Sequence, residues 1–354
     1  MKALVLSGGA GTRLRPVSYS MPKQLIPIAN KPVLEHVLEN IRDLGVSEIG
    51  LVVGAWASEI TKAIGDGSRF GVRITYIHQE RPLGLAHCVA LARPFLGNDD
   101  FVMYLGDIML PEGVAEVAEQ FRHDRPAAQV VVREVPDPRA FGVVELDGRG
   151  RIERLVEKPQ LPRSDLALVG VYFFTPAIHQ AVCAIEPGKR GELEITDAVQ
   201  WLLTQGARVT ASRYTGYWKD TGRVDDVIDC NRRLLRELRG KIAGEVSNAS
   251  VLEGEVVVEP GARVIRSRIE GPVIVGADSL IENCHIGPNT SIGTDCVLRA
   301  SSVSDSIVLD SATILGIPGM HGSLIGRRAM VGLATRTGVH RLVVGDHTQI
   351  ELAA

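Results

Sequence analysis

Apolar residues in the first 240 positions follow two different spacings, which predict alternating strands and helices. Residues 49–53 and 101–105 are almost continuous apolar runs, whereas the apolar residues of 33–44 recur at helical spacing and stop at Gly45. Apolar strands between amphipathic helices indicate a sheet that is covered on both faces. The predicted strands are 2–7, 49–53, 72–78, 101–105, 128–134, 141–146, 152–157 and 167–174, and the predicted helices are 33–44, 56–65, 84–92 and 223–239.

The strands predicted between residues 128 and 174 follow one another with few helices between them. We therefore expect the later part of this domain to insert a smaller β region that carries a second substrate. Helix 223–239 is predicted to close the domain, and residues 240–244 are predicted to be a linker.

The pattern changes after residue 245, where helical periodicity gives way to short repeated units. Each unit has an aliphatic residue, then glycine, then small residues, as in Val275-Gly-Ala-Asp-Ser and Ile292-Gly-Thr-Asp-Cys, and the units recur about every six residues. This is the hexapeptide signature of a β-helix, and we expect roughly five coils of three units each over 245–354. Further units begin at Ile286, Ile325, Val331 and Val344.

A glycine loop directly follows the first predicted strand. The sequence Gly8-Gly-Ala-Gly-Thr-Arg-Leu-Arg-Pro16 is followed by Pro22-Lys-Gln24. Glycines allow backbone N–H groups to approach phosphate oxygens, and Arg13 and Lys23 can neutralise phosphate charge as a leaving group departs. The loop therefore predicts phosphoryl chemistry on a nucleoside triphosphate rather than an ordinary surface turn.

Two better-known glycine loops do not match this segment. A Walker loop requires Lys-Ser or Lys-Thr after its last glycine, and neither pair follows these glycines. A dinucleotide fingerprint that starts at Gly9 and Gly11 would need a third glycine where Leu14 stands. Both classes of site are excluded.

Three segments together resemble a known family. They are 8–16, Pro22-Lys-Gln-Leu-Ile-Pro27 and Asn30-Lys-Pro32, and they are similar to the sugar-1-phosphate nucleotidylyltransferases, in particular to the thymidylyltransferases that act on glucose 1-phosphate. The resemblance extends over about the first 240 residues. It implies an α/β fold with a Rossmann-like mixed sheet as a catalytic domain over 1–240, followed by a left-handed β-helix domain over 245–354.

The resemblance also implies a nucleotide site. Gln79 and the turn Pro82-Leu-Gly84-Leu-Ala would hold the base, because a glutamine amide can donate to and accept from a pyrimidine edge. His87 stands where the family has a further glutamine. The candidate nucleotide-binding residues are Gly8, Gly9, Gly11, Thr12, Arg13, Gln24, Gln79, Pro82 and Gly84, and the candidate catalytic residues are Arg13, Lys23 and Asp107.

A metal site is predicted from two aspartates. Asp107 follows the apolar strand 101–105, and Asp220 lies in Tyr217-Trp-Lys-Asp-Thr-Gly222. A carboxylate at the C-terminal end of such a strand lies where α/β folds bind ligands, and Mg²⁺ usually takes one or two carboxylates together with phosphate. We expect Asp107 and Asp220 to be the Mg²⁺ ligands, as the resemblance also implies.

Four further segments resemble the family's sugar-phosphate site. They are Phe141-Gly-Val-Val-Glu145, Glu157-Lys-Pro159, Val169-Gly-Val-Tyr172 and the signature that begins at Arg190. A carboxylate there would bind sugar hydroxyls, cations would bind the 1-phosphate, and an aromatic residue would form a lid. The candidate residues are Gly142, Glu157, Lys158, Gly170, Tyr172 (the lid) and Arg190.

Composition adds several exclusions. The formal net charge is −3, which gives no electrostatic reason to expect nucleic-acid or membrane binding. The sequence shows no run of 18 apolar residues and no export signal, and its five cysteines form no CxxC pair. The nine histidines lack ligand spacing for zinc. We expect a cytoplasmic protein with reduced, mostly buried thiols.

The expected reaction is the transfer of a thymidylyl group from dTTP to glucose 1-phosphate, which gives dTDP-glucose and pyrophosphate. One glutamine cannot separate thymine from uracil, so UTP or another nucleotide remains an alternative, as does a non-catalytic regulatory homologue. The β-helix is expected to hold a homo-oligomer together, with a tetramer favoured. An acyltransferase site in the β-helix is the alternative, and its candidate histidines are His285, His321, His340 and His347.

Because every candidate catalytic residue precedes Val224, we expect removal of the β-helix to change assembly more than chemistry.

Overall fold

A computed structural model describes residues 1–332 and 346–351. Their contacts divide the chain into two compact units: Met1–Ala10 with Val33–Asp220, and Gly11–Pro32 with the chain from Thr221 onward. The short segment 11–32 therefore belongs with the C-terminal part of the chain. The domain boundaries 1–240 and 245–354, which were inferred from the change in sequence pattern, stay a prediction.

Strands and short helices alternate as far as residue 235. The strands are β1 (Lys2–Ser7), β2 (Pro27–Ile28), β3 (Lys31–Pro32), β4 (Glu48–Val53), β5 (Arg73–His78), β6 (Phe101–Leu105), β7 (Ile108–Met109), β8 (Ala128–Glu134), β9 (Gly142–Leu146), β10 (Ile152–Glu157), β11 (Leu166–Phe174), β12 (Val209–Arg213) and β13 (Lys219–Asp220). The α-helices are α1 (Val33–Asp43), α2 (Ala57–Ile64), α3 (Leu85–Leu91), α4 (Arg93–Leu96), α5 (Ala115–Asp124), α6 (Ile178–Ala184), α7 (Ile195–Thr204) and α8 (Val224–Leu235).

The first unit is built on one mixed sheet. Within 1–10 and 33–220, all of which the structure describes, nine strands form a sheet in which β10-β9-β11-β6-β1-β4-β5 lie in order, β8 pairs with β11 and β12 pairs with β8. Strands β6, β1, β4 and β5 are parallel, and β11 runs antiparallel to β6 and β8. This confirms the predicted α/β class with a Rossmann-like mixed sheet.

The separate β region predicted for residues 128–174 is wrong. Strands β8 to β11 join the main sheet, and β11 pairs directly with β6 through Val171 and Tyr104. All nine residues of β11 are buried. A strand that is apolar on both faces must be covered on both faces, which places it inside a sheet rather than in an appended layer.

The second unit contains a β-helix. Its strands are β14 (Lys241–Ile242), β15 (Glu245–Val246), β16 (Val251–Glu253), β17 (Val256–Val258), β18 (Arg263–Ile265), β19 (Arg268–Glu270), β20 (Val273–Val275), β21 (Leu280–Glu282), β22 (His285–Ile286), β23 (Thr290–Ile292), β24 (Val297–Arg299), β25 (Ser302–Ser304), β26 (Ile307–Val308), β27 (Thr313–Leu315), β28 (Met320–His321), β29 (Leu324–Ile325) and β30 (Met330–Gly332). Within 241–332 every third strand stacks in parallel, which gives three stacks.

The register explains the uneven hexapeptide spacing. Coil length varies: Val256 pairs with Val273, 17 residues further on, whereas partners in other coils lie 16 or 18 residues apart. The interior is lined by aliphatic side chains such as Val264, Ile281 and Leu298, which are fully buried. The parallel stacks are consistent with the expected left-handed β-helix. The unit predicted at Val344 lies outside the described residues.

The predicted linker is partly wrong. Lys241 and Ile242 form the first strand of the β-helix and pair in parallel with Val257 and Val258. The coil therefore starts within the segment 240–244, because a strand of two residues is too short to show a sequence period. Among the described residues, no helix combines the length and apolarity needed to cross a membrane.

Candidate active site

The first unit has a topological switch point between β1 and β6. Counted along the chain, its parallel strands are β1, β4, β5 and β6, and in space β1 lies between β4 and β6. Ligands of such folds bind outside the carboxyl ends of the strands at this point. Gly8 follows β1 there, and Gly106 and Asp107 follow β6.

Gly106 brings the two strand ends into close contact. Its amide donates to the carbonyl oxygen of Leu6 at 2.9 Å, and a Cβ at this position would lie 2.5 Å from Oγ of Ser7. Only glycine fits without a shift. The sequence Leu-Gly-Asp therefore holds Asp107, whose side chain is largely buried, next to the end of β1.

The structure brings the two predicted metal ligands together. Strands β7 and β13 form an antiparallel pair in which Asp220 lies opposite Ile108, the residue after Asp107. Opposite Cα atoms in such pairs are about 4.5–5.5 Å apart, which puts the backbone of Asp220 next to the residue that follows Asp107. Sequence separation of more than 100 residues hides this proximity, which only the short β7–β13 ladder creates.

This donor set fits Mg²⁺. Both aspartates offer hard carboxylate oxygens, which Mg²⁺ prefers, and two of them leave positions for phosphate oxygens and water. The described residues hold no cluster of three or more His, Cys, Asp or Glu side chains with metal-binding geometry.

Gln79 lies beside the glycine loop in the first unit. It follows β5, its side chain is buried, and a Cβ at Gly8 would lie 3.2 Å from its Oε1. Its Nε2 lies 3.0 Å from Nδ1 of His87 and 3.4 Å from the carbonyl oxygen of Gly84. Gln79, the predicted base-binding residue, therefore contacts the turn at Gly84 that was predicted to bind the base with it.

The turn at Gly84 has a shape that requires glycine. Its φ is +108°, and a Cβ would lie 2.3 Å from the carbonyl oxygen of Leu193. Leu193 also donates its amide to Leu83 and accepts from Ala86. The base turn, with Pro82 exposed at its start, is therefore bonded to the signature that begins at Arg190.

The sugar-phosphate candidates converge at the ends of β9 and β10. Gly142 pairs with Glu157, and a Cβ at Gly142 would lie 3.2 Å from Glu157 Oε2 and 2.8 Å from Cγ2 of Thr196. Thr196 donates its hydroxyl to the same carboxylate at 3.2 Å. Lys158 has a φ of +43°, a conformation that side chains rarely adopt, and its ammonium lies 3.5 Å from Glu157.

Arg190 forms ion pairs with three carboxylates, Glu157, Glu192 and Glu194. Its guanidinium donates to Glu194 at 2.7 Å and to Glu157 at 3.3 Å. Glu194 is buried, and that burial raises the pKa of its carboxyl above the usual range. Burial also raises the pKa of Asp197 on the same helix start. The carboxylates around Arg190 offset its charge, and its role as a contact of the sugar phosphate stays a prediction.

Sequence reasoning missed Glu194, Thr196 and Trp218 as members of this site. The first two lie in the Arg190 signature, at the start of α7, and their contacts with Arg190 and Glu157 follow from that helix. Trp218 donates its indole N–H to Val169 at 2.9 Å and meets the ring of Phe141 edge-on. The only sequence signal for Trp218 was its position in the motif that contains Asp220.

Tyr172 is not a lid, and this part of the sequence prediction is wrong. The side chain is only 4% exposed and stacks on Phe174 with ring centroids 6.0 Å apart, and burial raises the pKa of its phenol. It points into the core because β11 is covered on both faces. Gly170 packs instead against Leu105 and Ile108, the residues on either side of the Gly106-Asp107 turn.

The predicted phosphate cations lie in the second unit. Thr12 and Arg13 are exposed in a short 3-10 helix, Thr12–Leu14, and Lys23 begins another, Lys23–Leu25. Gly11 has a φ of +62°, and a Cβ there would lie 3.3 Å from Cβ of Lys23. Glycine at position 11 therefore lets the Arg13 turn pack against the backbone that carries Lys23. Gln24, beside it, is 1% exposed, and Gly9 is exposed.

Comparisons with known proteins agree with this fold. Residues 2–237 match the family model for nucleotidyl transferases. The chain is 51% identical over its full length to the full length of a glucose-1-phosphate thymidylyltransferase from Streptomyces griseus. It is also 51% identical to another protein of that name from Streptomyces antibioticus, with 99% of each chain covered.

A solved structure supports the same assignment. A Bacillus anthracis protein, provisionally assigned as a glucose-1-phosphate thymidylyltransferase and crystallised with sucrose, is 31% identical with a TM-score of 0.63, and the match covers 68% of this chain and 97% of the other. The chain belongs to the nucleotidyl transferase family.

Proposed function

We propose that this protein is a magnesium-dependent glucose-1-phosphate thymidylyltransferase. It would convert dTTP and α-D-glucose 1-phosphate into dTDP-glucose and pyrophosphate, for use in deoxysugar biosynthesis. The observation that carries the proposal is the position of Asp107 and Asp220 together at the switch point, beside the loop that starts at Gly8. Full-length identity of 51% to two proteins of that name supports the choice of substrates.

The reaction is a direct displacement at the α-phosphorus of dTTP. A phosphate oxygen of glucose 1-phosphate forms the new P–O bond, and the bond between the α-phosphorus and the bridging oxygen breaks, so that pyrophosphate leaves with the electron pair. The sugar phosphate is already an oxyanion, and no general base is therefore assigned. Arg13 and Lys23 would bind the departing phosphates and offset their charge.

Binding groups would align the two substrates. Gln79 and the Gly84 turn hold the base, and Gly8, Gly9, Gly11 and Thr12 provide backbone contacts for the phosphates. Gly142 and Glu157 bind sugar hydroxyls, while Lys158 and Arg190 bind the 1-phosphate. When bound by Asp107 and Asp220, Mg²⁺ supplies charge that stabilises the pentavalent phosphorus. Alignment of this kind can supply a large part of the rate enhancement.

The β-helix is proposed to support a homo-oligomer, a tetramer, in the cytoplasm. Two of its candidate acyltransferase histidines have protein partners: Nδ1 of His321 lies 3.0 Å from Oγ of Ser304, and Nε2 of His285 lies 3.2 Å from Glu270. These contacts favour a structural role for them. His340 lies outside the described residues. Light scattering on the full chain tests the assembly, and a monomer would contradict it.

An assay of pyrophosphate release tests the proposed reaction. The purified protein is incubated with glucose 1-phosphate, Mg²⁺ and each nucleoside triphosphate in turn. We expect the highest kcat/KM with dTTP, and a preference for UTP would reassign the nucleotide. Absence of turnover with every nucleotide would favour the regulatory homologue, and acetyl transfer from acetyl-coenzyme A would add the second activity.

A further inference from the structure

The hairpin formed by β2 and β3 has an unusual turn. Its two central residues, Ala29 and Asn30, have φ values of +49° and +59°. A two-residue turn with both φ values positive is of type I′, where asparagine and glycine are favoured. Alanine carries a Cβ that disfavours this conformation, and such residues persist where surrounding contacts hold them. The turn is therefore expected to be held from outside.

Asn231 of α8 supplies one of these contacts. Its Oδ1 accepts from the amide of Ala29 at 2.9 Å and from the hydroxyl of Ser291 at 2.7 Å, and its Nδ2 donates to the carbonyl oxygen of Asn289 at 3.1 Å. The side chains of Asn231 and Ser291 are fully buried. One amide thus joins the hairpin, the helix and a β-helix strand.

A second contact comes directly from the β-helix. Asn30 donates its side-chain amide to the carbonyl oxygen of Ile292, in the same strand as Ser291. On the N-terminal side of Lys23, Arg327 of the β-helix donates to the carbonyl oxygen of Ser20 at 2.6 Å. The β-helix therefore bonds to positions on both sides of Lys23.

The path from the turn at Ala29 and Asn30 to Lys23 is short. The 3-10 helix Lys23–Leu25 is followed by Ile26 and then by β2, and the side chains of Ile26 and Ile28 are fully buried. Little backbone freedom remains between the fixed turn at Ala29 and the ammonium-bearing residue. A shift of the hairpin would therefore displace Lys23.

We propose that Asn231 and strand 290–292 form a clamp that positions the Lys23 segment for phosphate contact. Asn231 is a positioning residue, and the β-helix takes part in catalysis through it as well as in assembly. This inference rests on the proposed function, since it assigns Lys23 its role there. It also changes the expectation that loss of the β-helix would affect assembly more than chemistry.

The test compares two neighbouring substitutions in the full-length protein. Asn231→Ala removes the bond to Ala29, whereas Arg232→Ala removes an ion pair between the same helix and Asp305 of the β-helix. Both weaken the attachment of α8, but only the first loosens the hairpin. We expect kcat to fall about tenfold or more in Asn231→Ala, with less than about twofold change in KM for glucose 1-phosphate, and to stay near normal in Arg232→Ala.

Hydrogen exchange provides a readout that does not depend on activity. Peptides covering residues 23–32 should exchange faster in Asn231→Ala than in the wild type and should be unchanged in Arg232→Ala. Ser291→Ala is a smaller change and should give the same pattern more weakly. It replaces Asn231→Ala in the test if that variant does not fold. Equal losses of kcat in both variants, or unchanged exchange in 23–32, would overturn the clamp. A wild type without thymidylyl transfer would refute the proposed function while exchange still tests the clamp.

Discussion

Nε2 of Gln79 lies 3.0 Å from Nδ1 of His87, so the amide nitrogen of this buried glutamine is directed towards α3. With the nitrogen bonded there, Oε1 is on the side of Gly8, where it can accept from the N3–H of a pyrimidine. His87 therefore orients the group that we assign to base recognition. It stands where the resemblance leads one to expect a glutamine.

This contact predicts a specific effect of substitution at position 87. His87→Ala should raise KM for dTTP by about 2–10-fold, because one hydrogen bond that holds the amide is lost. His87→Gln should stay near the wild-type value, since its side-chain oxygen can accept in place of Nδ1. Steady-state kinetics measures both. In a Gln79→Ala background, His87→Ala should have little further effect, and full additivity of the two would show that His87 acts independently of Gln79.

The sheet and the β-helix could be predicted because their patterns are local. Strands 101–105 and 49–53 and the hexapeptide units each carry their period within a few residues, and both strands and the units within 241–332 appear in the structure. Helix α7 was missed, although Ile195, Val199 and Leu202 share a helical spacing. The helix begins inside the Arg190 motif, which was interpreted as a phosphate-binding signature rather than as the start of a helix.

Other features depend on contacts between distant residues. The bond between Ala29 and Asn231 spans 202 positions, and no local pattern indicates that segment 11–32 belongs with the C-terminal unit. Tyr172 lies two residues after Gly170 in a motif that suggested a lid, but burial on both faces of β11 decided its position. Which strands pair in the sheet depends on all of the strands together, and the residues of one motif do not show it.

The paired aspartates predict a strict metal requirement. Asp107→Asn and Asp220→Asn should each lower turnover about 10²-fold or more, because each removes a charged Mg²⁺ ligand that stabilises transition-state charge. Circular dichroism should show a preserved fold. Asp137→Asn, at an exposed carboxylate paired with Arg139, is the control and should retain activity. Near-normal turnover of either site variant with Mg²⁺ present would refute the two-ligand assignment.

The cysteines predict a selective pattern of alkylation. All five lie among the described residues, and Cys183 is exposed while the other four are buried. Burial raises the pKa of the Cys88 thiol to about 12 and that of Cys296 to about 11. Only the thiolate reacts, so at pH 8 their reactive fractions are roughly 10⁻⁴ and 10⁻³ and increase as the pH rises.

Mass spectrometry after iodoacetamide treatment at pH 8 should therefore find one label on the native chain, at Cys183, and five after unfolding in guanidinium. Cys183→Ser should leave the native chain unlabelled. Rapid labelling of Cys88 or Cys296 in the native protein would contradict the burial of these thiols.

The division of labour among the cations gives the last prediction. Arg13 is assigned to the departing phosphates, so Arg13→Ala should lower kcat by roughly 10²-fold or more, the scale for loss of one transition-state donor. Lys158 is assigned to the ground-state 1-phosphate, so Lys158→Ala should mainly raise KM for glucose 1-phosphate, by about tenfold. Single-turnover kinetics separates the two effects, because only loss of transition-state stabilisation slows the chemical step at saturating substrate. If Arg13→Ala raised KM for the sugar phosphate and left kcat unchanged, the two roles would be wrongly divided.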